Sequence, residues 1–296
     1  MIGFARFIAV RTFPTFFALF IFFAPVPQFA QNASPPSAAQ QQYPDAIRSE
    51  LNLGVDAFKN ARYEDAISHF RRAVELDPSH PVARLYLGTA LAQNVVPGLL
   101  TPENLKVADE ALGIFTALAA ENPRDVASLK QAGAVCFSIR RLDEAKSWQK
   151  RVLDANPSDA EAAYTIGVVD WTLAHQNLIG ILQPLGLADD GEGNLAAPSE
   201  AMARLRDLNA PLLDEGTVYL NQALANRPRY ADAMAYLNLV YRMKASVDRG
   251  DAATRTEDLR QAREWTQKAM EMRKANDALR NERLGGATVD TGGNLK

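Results

Sequence analysis

Glycine or alanine recurs at fixed offsets ahead of four prolines, Pro78, Pro123, Pro157 and Pro228, and that recurrence limits the possible folds more than anything else in the chain. Counted from Ile47, the first copy places Gly54, Ala66 and Ala73 at positions 8, 20 and 27 and Pro78 at position 32. Side chains this short let two helix axes approach to about 8 Å, whereas bulkier ones hold the backbones apart. The proline then stops the second helix. Helices are predicted over 47–60 and 63–76. A lone hairpin of this kind leaves an apolar face that only a neighbouring copy covers.

The later copies keep the register with interruptions. The second carries Leu87, Gly88, Ala111, Phe115 and Pro123, with an insertion over 93–109. Inside it, Thr101 as cap, Pro102 at the first helical position and Glu103 in the first turn predict a helix lengthened at its beginning. The third carries Gly133, Leu142, Ala145, Val152 and Pro157 without interruption. The fourth opens on Ile166 and Gly167, leaves for an excursion over 172–213, and resumes with Gly216, Leu220, Ala223 and Pro228. Within the excursion a short helix is expected from Ser199 to near Asp207, with Pro211 starting the delayed partner helix. The fifth keeps Ala262 and Ala269, but Asn238 replaces glycine and Lys274 replaces proline. Without that proline its last helix runs on toward Leu284, and its dense charge suits a solvated cap.

This pattern resembles the tetratricopeptide repeat, a helix-turn-helix unit of about 34 residues. The resemblance implies an all-α chain, an α-solenoid forming a right-handed superhelix of about five helical hairpins. The repeats span 47–80, 81–125, 126–159, 160–230 and 231–284, three of them with insertions between their two helices. It also implies that positions 2, 5, 9, 12 and 13 of each first helix line a concave groove for a partner segment, with positions 5, 9 and 12 carrying the candidate contacts. Position 5 holds Leu51, Leu85, Lys130, Tyr164 and Ala235, position 9 Val55, Thr89, Ala134, Val168 and Leu239, and position 12 Phe58, Ala92, Phe137, Trp171 and Arg242. The basic and asparagine residues that family members use to clamp a terminal carboxylate are missing. The expected groove is therefore largely apolar and suits a protein or peptide partner. Leu178, Ile179, Ile181, Leu182, Leu185 and Leu187 of the excursion either pack on that face or its edge, or cap the hairpin. The three insertions should emerge along one edge, as a second contact surface or as tolerated loop growth.

Composition narrows the partner class. A hydrophobic share of 47% and a charged share of 23% are those of an ordinary soluble protein. Arg6 and Arg11 precede the apolar run 13–23, and no acid appears before Asp45, so residues 1–30 read as an export signal or an uncleaved anchor. Cleavage would fall after Ala30 or Ala33, and the mature chain would be periplasmic or extracellular. Residues 31–44, rich in Gln, Ala, Ser and Pro, read as a flexible tether, and 285–296 as a disordered tail. Losing Arg6 and Arg11 from the 32 basic residues leaves 30 against 35 acidic ones, which does not attract nucleic acid. The only membrane contact expected is an uncleaved leader.

Few residues suggest chemistry. Cys136 is the only cysteine, so no internal disulfide forms, and its place inside a repeat predicts a buried small hydrophobe. His69, His80 and His175 lie too far apart in the sequence for a metal motif, and no metal or cofactor is expected. The run 189–194, Asp-Asp-Gly-Glu-Gly-Asn, lacks the alternating ligands of a calcium loop and reads as a polar turn. Asp170 falls at position 11, normally apolar, so it must be paired, with His175 or nearby helix-start amides as suppliers. The leading expectation is an exported, non-enzymatic scaffold. A second is an enzyme or ligand-binding protein with a site around Asp170, Trp171 and His175. A third is an envelope component that self-associates.

Overall fold

The structure is a computed structural model that describes residues 44–285, all within one compact unit. The expected leader and tether up to residue 43, and the tail beyond 285, lie outside the described residues. Among the described residues ten α-helices follow in order: α1 (Asp45–Lys59), α2 (Tyr63–Leu76), α3 (Pro81–Asn94), α4 (Pro102–Glu121), α5 (Val126–Ser138), α6 (Leu142–Ala155), α7 (Ala160–Leu182), α8 (Ser199–Asn226), α9 (Ala231–Val247) and α10 (Ala252–Gly285). They pair as five hairpins, and there is no strand among the described residues. Each helix packs on its predecessor and its successor, while α3 also touches α5 and α7 touches α9. Packing of this kind, without contact between distant parts of the chain, is what a solenoid requires.

The turns between hairpins are copies of one another, and proline is the cause. Asp77, Asn122, Asn156 and Arg227 each precede one of the four prolines, and proline pushes the preceding residue out of the helical region. All four have φ between −145° and −132° and ψ between 85° and 94°. In each, the residue three further on donates its N–H back to that carbonyl, at 3.0 to 3.1 Å. Caps then restart the chain. Thr101 accepts from Asn104 N–H, Asp125 from Ala127 N–H, Asp159 from Glu161 and Ala162 N–H, and His80 Nδ1 from Ala83 N–H. Inside the first and third hairpins the turn is a Schellman motif. Arg62 N–H donates to Ala57 O and Arg141 N–H to Cys136 O, both at 2.9 Å, with Ala61 and Arg140 left-handed.

Within a hairpin the glycine at position 8 receives the side chain at position 24. A Cβ added at Gly54 would stand 2.4 Å from the Phe70 ring, and one at Gly167 would stand 2.5 Å from Leu220. The third repeat keeps the geometry with different chemistry. There Gln149 lies over Gly133, 1% exposed, and neither atom of its amide group has a hydrogen-bond partner. Two apolar clusters result, one from Ile47 to Ala145 with Val169, the other from Ala119 to Val247, and Trp148 packs against both.

The insertions correct the sequence reading in one place and agree with it in another. In the second repeat α4 runs to 20 residues where α2 has 14, starting at Pro102 under the Thr101 cap. The fourth repeat does not leave the fold at Thr172. Helix α7 continues to Leu182 and a 3-10 turn (Gln183–Leu185), so only 186–198 are irregular. Nor does Pro211 start a helix, since α8 is one continuous helix of 28 residues with Pro211 inside it. Asp207, whose carbonyl loses its bond to the missing N–H, is exposed, as is Pro211, so the break lies on the solvent side of α8. On the opposite face the buried Asn209 donates to Ala174 O at 2.8 Å and accepts from Asn177 at 2.9 Å, which holds α8 against α7 across the break. Leu178 and Leu182 are buried in the same core as Met202, Leu205, Met243 and Val247. They enlarge the hairpin's core and do not fill a groove, while Leu185 remains 45% exposed. No helix among the described residues is long and apolar enough to cross a membrane.

Candidate interaction face on the first helices

The first helix of each hairpin, α1, α3, α5, α7 and α9, carries the residues that the repeat pattern assigns to a partner. Their sides differ because a helix that packs on two neighbours keeps only a shoulder exposed. Val55, Phe58, Leu85 and Phe137 are half-buried and rest on the first core cluster. Phe58 also meets Tyr63 edge-on, with ring centres 5.3 Å apart. Leu51 and Val168, expected in the groove, are buried at 8% and 4% exposure. Both correct the expectation, since the helix turns these positions into the packing and they offer a partner no surface.

Toward the fifth hairpin the same face is used internally. Tyr164 lies 4.8 Å from Tyr230 and 5.6 Å from Tyr236. Trp171 lies 5.6 Å from Tyr236 and stacks on His175 at 5.0 Å. These rings bind α7 to α9, and burial raises the phenol of Tyr236 to about 12 and those of Tyr164 and Tyr230 further. Leu239 of α9 is half-buried. The two cationic positions are engaged too. Lys130 pairs with Asp159 at 2.7 Å and Glu161 at 3.2 Å, and Arg242 donates to Asn238 Oδ1 and to Gly191 O, both at 3.1 Å.

Arg242 thereby ties the irregular segment 186–198 to α9. Arg249 donates from the same helix end to Asn194 O at 3.0 Å and Ala197 O at 2.7 Å, and buried Asn194 donates to Ser246 Oγ at 2.9 Å. The two aspartates of the acidic run accept from the segment's own backbone, while Glu192 pairs with Arg242 at 3.6 Å. Asp189 accepts from Gly191 N–H, and Asp190 from Glu192 and Asn194 N–H. The connection 95–101 of the second hairpin is held as firmly. Asn104 donates to Val96 O and Leu99 O and accepts from Val96 N–H, and Gly98 N–H donates to Ser138 O.

Asp170 is fully buried, and its partner is not His175 or a helix-start amide as the sequence suggests, but Lys146 of α6 at 2.6 Å. Lys146 also binds Glu215 of α8 at 2.7 Å, and Lys150 binds Glu215 at 2.6 Å. Burial, the largest effect, pushes the Asp170 carboxyl up to about 6 against the pull of Lys146. Burial pulls Lys146 down, but its bonds to the two carboxylates prevail and leave it above the ordinary lysine value. Glu215 is held below the usual carboxylate range, because Lys146 and Lys150 outweigh its desolvation. Sequence reasoning missed Lys146 and Glu215. The available signal was their place beside Ala145 and Gly216, small residues that bring their helices against α7, and a Cβ on Gly216 would stand 3.2 Å from Asp170 Cβ. Asp170, Trp171 and His175 do not converge, since Asp170 points at α6 while Trp171 meets Tyr236 of α9 and His175 stacks on Trp171. Burial raises the Cys136 thiol to about 12, which keeps it protonated and unreactive near neutral pH.

A stack of helical hairpins with one shared turn and one shared close approach defines an α-solenoid. The family model described as tetratricopeptide repeat matches residues 51–95 of this chain. The chain is 27% identical over 124 residues to Hsp70-Hsp90 organizing protein 2 of Arabidopsis thaliana, covering 41% of this chain and 20% of that protein. It is 26% identical over 121 residues to RNA polymerase II-associated protein 3 of Homo sapiens, covering 41% and 16%. The chain thus spans a fifth or less of the length of these curated relatives. Among solved structures it resembles MamA 41-end from Desulfovibrio magneticus RS-1, with a TM-score of 0.52, 17% identity and coverage of 79% of this chain and 98% of the other. Another crystal structure of MamA gives a TM-score of 0.52 at 13% identity, covering 79% and 95%. At such identities the likeness concerns the fold alone.

Proposed function

We propose that this protein is an exported, non-enzymatic interaction scaffold that holds a protein or peptide segment against the shoulders of its first helices. The observation that carries the reading is the series Val55, Phe58, Leu85 and Phe137, half-buried apolar side chains at position 5, 9 or 12 of three consecutive repeats. A hydrophobic partner segment would remove their remaining apolar area from water, at about 25 cal/mol per Å². Lys130 and Arg242 are engaged within the chain, so the face suits an apolar segment better than an anionic one. The names of the two curated relatives, an organizing protein and a polymerase-associated protein, fit a role in bringing proteins together. The tied-down connections 95–101 and 186–198 decorate the hairpin tips as a second edge for contact. Export rests on Arg6, Arg11 and the apolar run 13–23.

Site-specific photocrosslinking in the native host tests the face. A photoreactive side chain at Phe58 or Phe137 should capture a discrete partner, whereas one at Val218, 65% exposed on α8, should not. Equal capture at all three positions rejects the face. Export is read separately, from the mass of the mature chain and from a reporter fusion active outside the cytoplasm only when the leader is present.

A further inference from the structure

The turn between α8 and α9 and the last third of α10 enclose an open cleft of about 490 Å³ lined by Arg227, Arg229, Tyr230, Asp232, Arg273, Asn276 and Asp277. It is built from the turn before the fifth hairpin and from that hairpin, not from the helices that carry Val55, Phe58, Leu85 and Phe137, and nothing in the repeat pattern accounts for its three arginines. Each guanidinium is held in place before any ligand arrives. Arg227 stacks on the Tyr230 ring, 4.5 Å from its centre, with no carboxylate partner among the described residues. Arg229 donates Nε to Asn276 Oδ1 at 3.0 Å while Asn276 donates back to Arg229 O at 3.2 Å, which leaves the two terminal amino groups of Arg229 turned to the cleft or to water. Arg273 is steadied by Asp232 at 3.2 Å, and Asp277 is the only other acid of the lining.

We propose that this cleft binds an acidic peptide segment through carboxylates that pair with Arg227 and Arg229, with Arg273 in support. A planar guanidinium matches a carboxylate two bonds at a time, and its fixed orientation removes much of the entropy that such a pair otherwise costs. Stacking on Tyr230 leaves the edge of the Arg227 fork free for an acceptor. In a chain with more acidic than basic residues, a local excess of cations also draws an anionic segment to this one place. The inference goes beyond the first-helix reading and stands or falls separately from it.

The test is fluorescence anisotropy of labelled hexaglutamate with the full chain. Saturable binding that weakens as salt rises is expected. Arg227→Ala with Arg229→Ala should weaken it roughly tenfold or more, whereas Arg71→Ala, which removes an arginine paired with Glu110 on α2, should leave it unchanged. Arg227→Lys with Arg229→Lys keeps the charge but loses the fork, and an intermediate loss is expected. Circular dichroism of each variant checks the fold, which these exposed arginines do not support. Absence of saturable binding, an equal loss in Arg71→Ala, or competition by free glutamate at the same carboxylate concentration overturns the proposal. The last outcome would mark a site for single small anions. Photocrosslinking at Phe58 should be unaffected by any of these changes, so the two readings fail independently.

Discussion

At the scale of the residue, half-buried Lys146 and buried Gln149 on α6 set the strongest expectations. Lys146 is the counter-charge of a carboxylate with no exposure, and removing one partner of such a pair strands the other. Lys146→Met should therefore lose about 3 to 5 kcal/mol at pH 7.5 in urea denaturation. The pH dependence follows from sign. The folded-state value of Asp170, about 6, lies above its ordinary 3.8, so on acidification the folded form takes up a proton before the unfolded chain does. Stability should rise as pH falls through 6, and much of the loss in Lys146→Met should be recovered near pH 5. Asp258, raised by burial to about 6 as well, contributes in the same direction, so Asp258→Asn in both backgrounds isolates the Asp170 share. A loss that does not depend on pH would refute this account. Gln149 predicts the opposite sign. Its amide is buried without partners, so Gln149→Met, of similar volume, should stabilise by about 1 to 3 kcal/mol in the same assay. The need for Asp170 to be paired was legible from its place at an otherwise apolar position, but the partner came from a different hairpin, which no local pattern reveals.

At the scale of the element, the sequence located helices by their small residues and prolines and erred where one proline carried a different meaning. Pro78, Pro123, Pro157 and Pro228 end helices because the residue before each has swung into the extended region. Pro211 has the same local chemistry, yet α8 passes through it, since Leu205, Asn209 and Leu213 fix the helix to α7 on both sides. Tertiary packing outweighs a lost hydrogen bond on the solvent face. Pro211→Ala should then stabilise by about 1 to 2 kcal/mol, the helical cost of proline less its effect on the unfolded chain. Had Pro211 opened a new helix, the same change would be neutral or harmful, so the sign of the shift in urea midpoint decides the matter. Similar logic explains the excursion. Leu178 and Leu182 are spaced four apart, as a continuing helix requires, and that period distinguishes an extended α7 from a loop.

At the scale of the whole molecule, the stack holds two apolar clusters joined through Trp148, with Gln149 and the Lys146 network in the same stretch of α6. Trp148→Ala should cost about 3 kcal/mol and loosen the coupling between halves. Hydrogen exchange in rising urea should show α1–α4 and α7–α10 opening together in the parent chain and at separate midpoints in the variant. Coincident opening in both would show that coupling does not pass through this side chain. The sequence by itself determined that the chain is a row of helical hairpins, because a Gly or Ala at fixed offsets and a proline at the close act on neighbours a few turns away. Only the tertiary structure decided which first-helix residues keep a surface, which ion pairs neutralise Asp170, and how the insertions lengthen α7 and α8. Those outcomes depend on side chains from successive hairpins competing for the same space, and such competition has no period in the sequence.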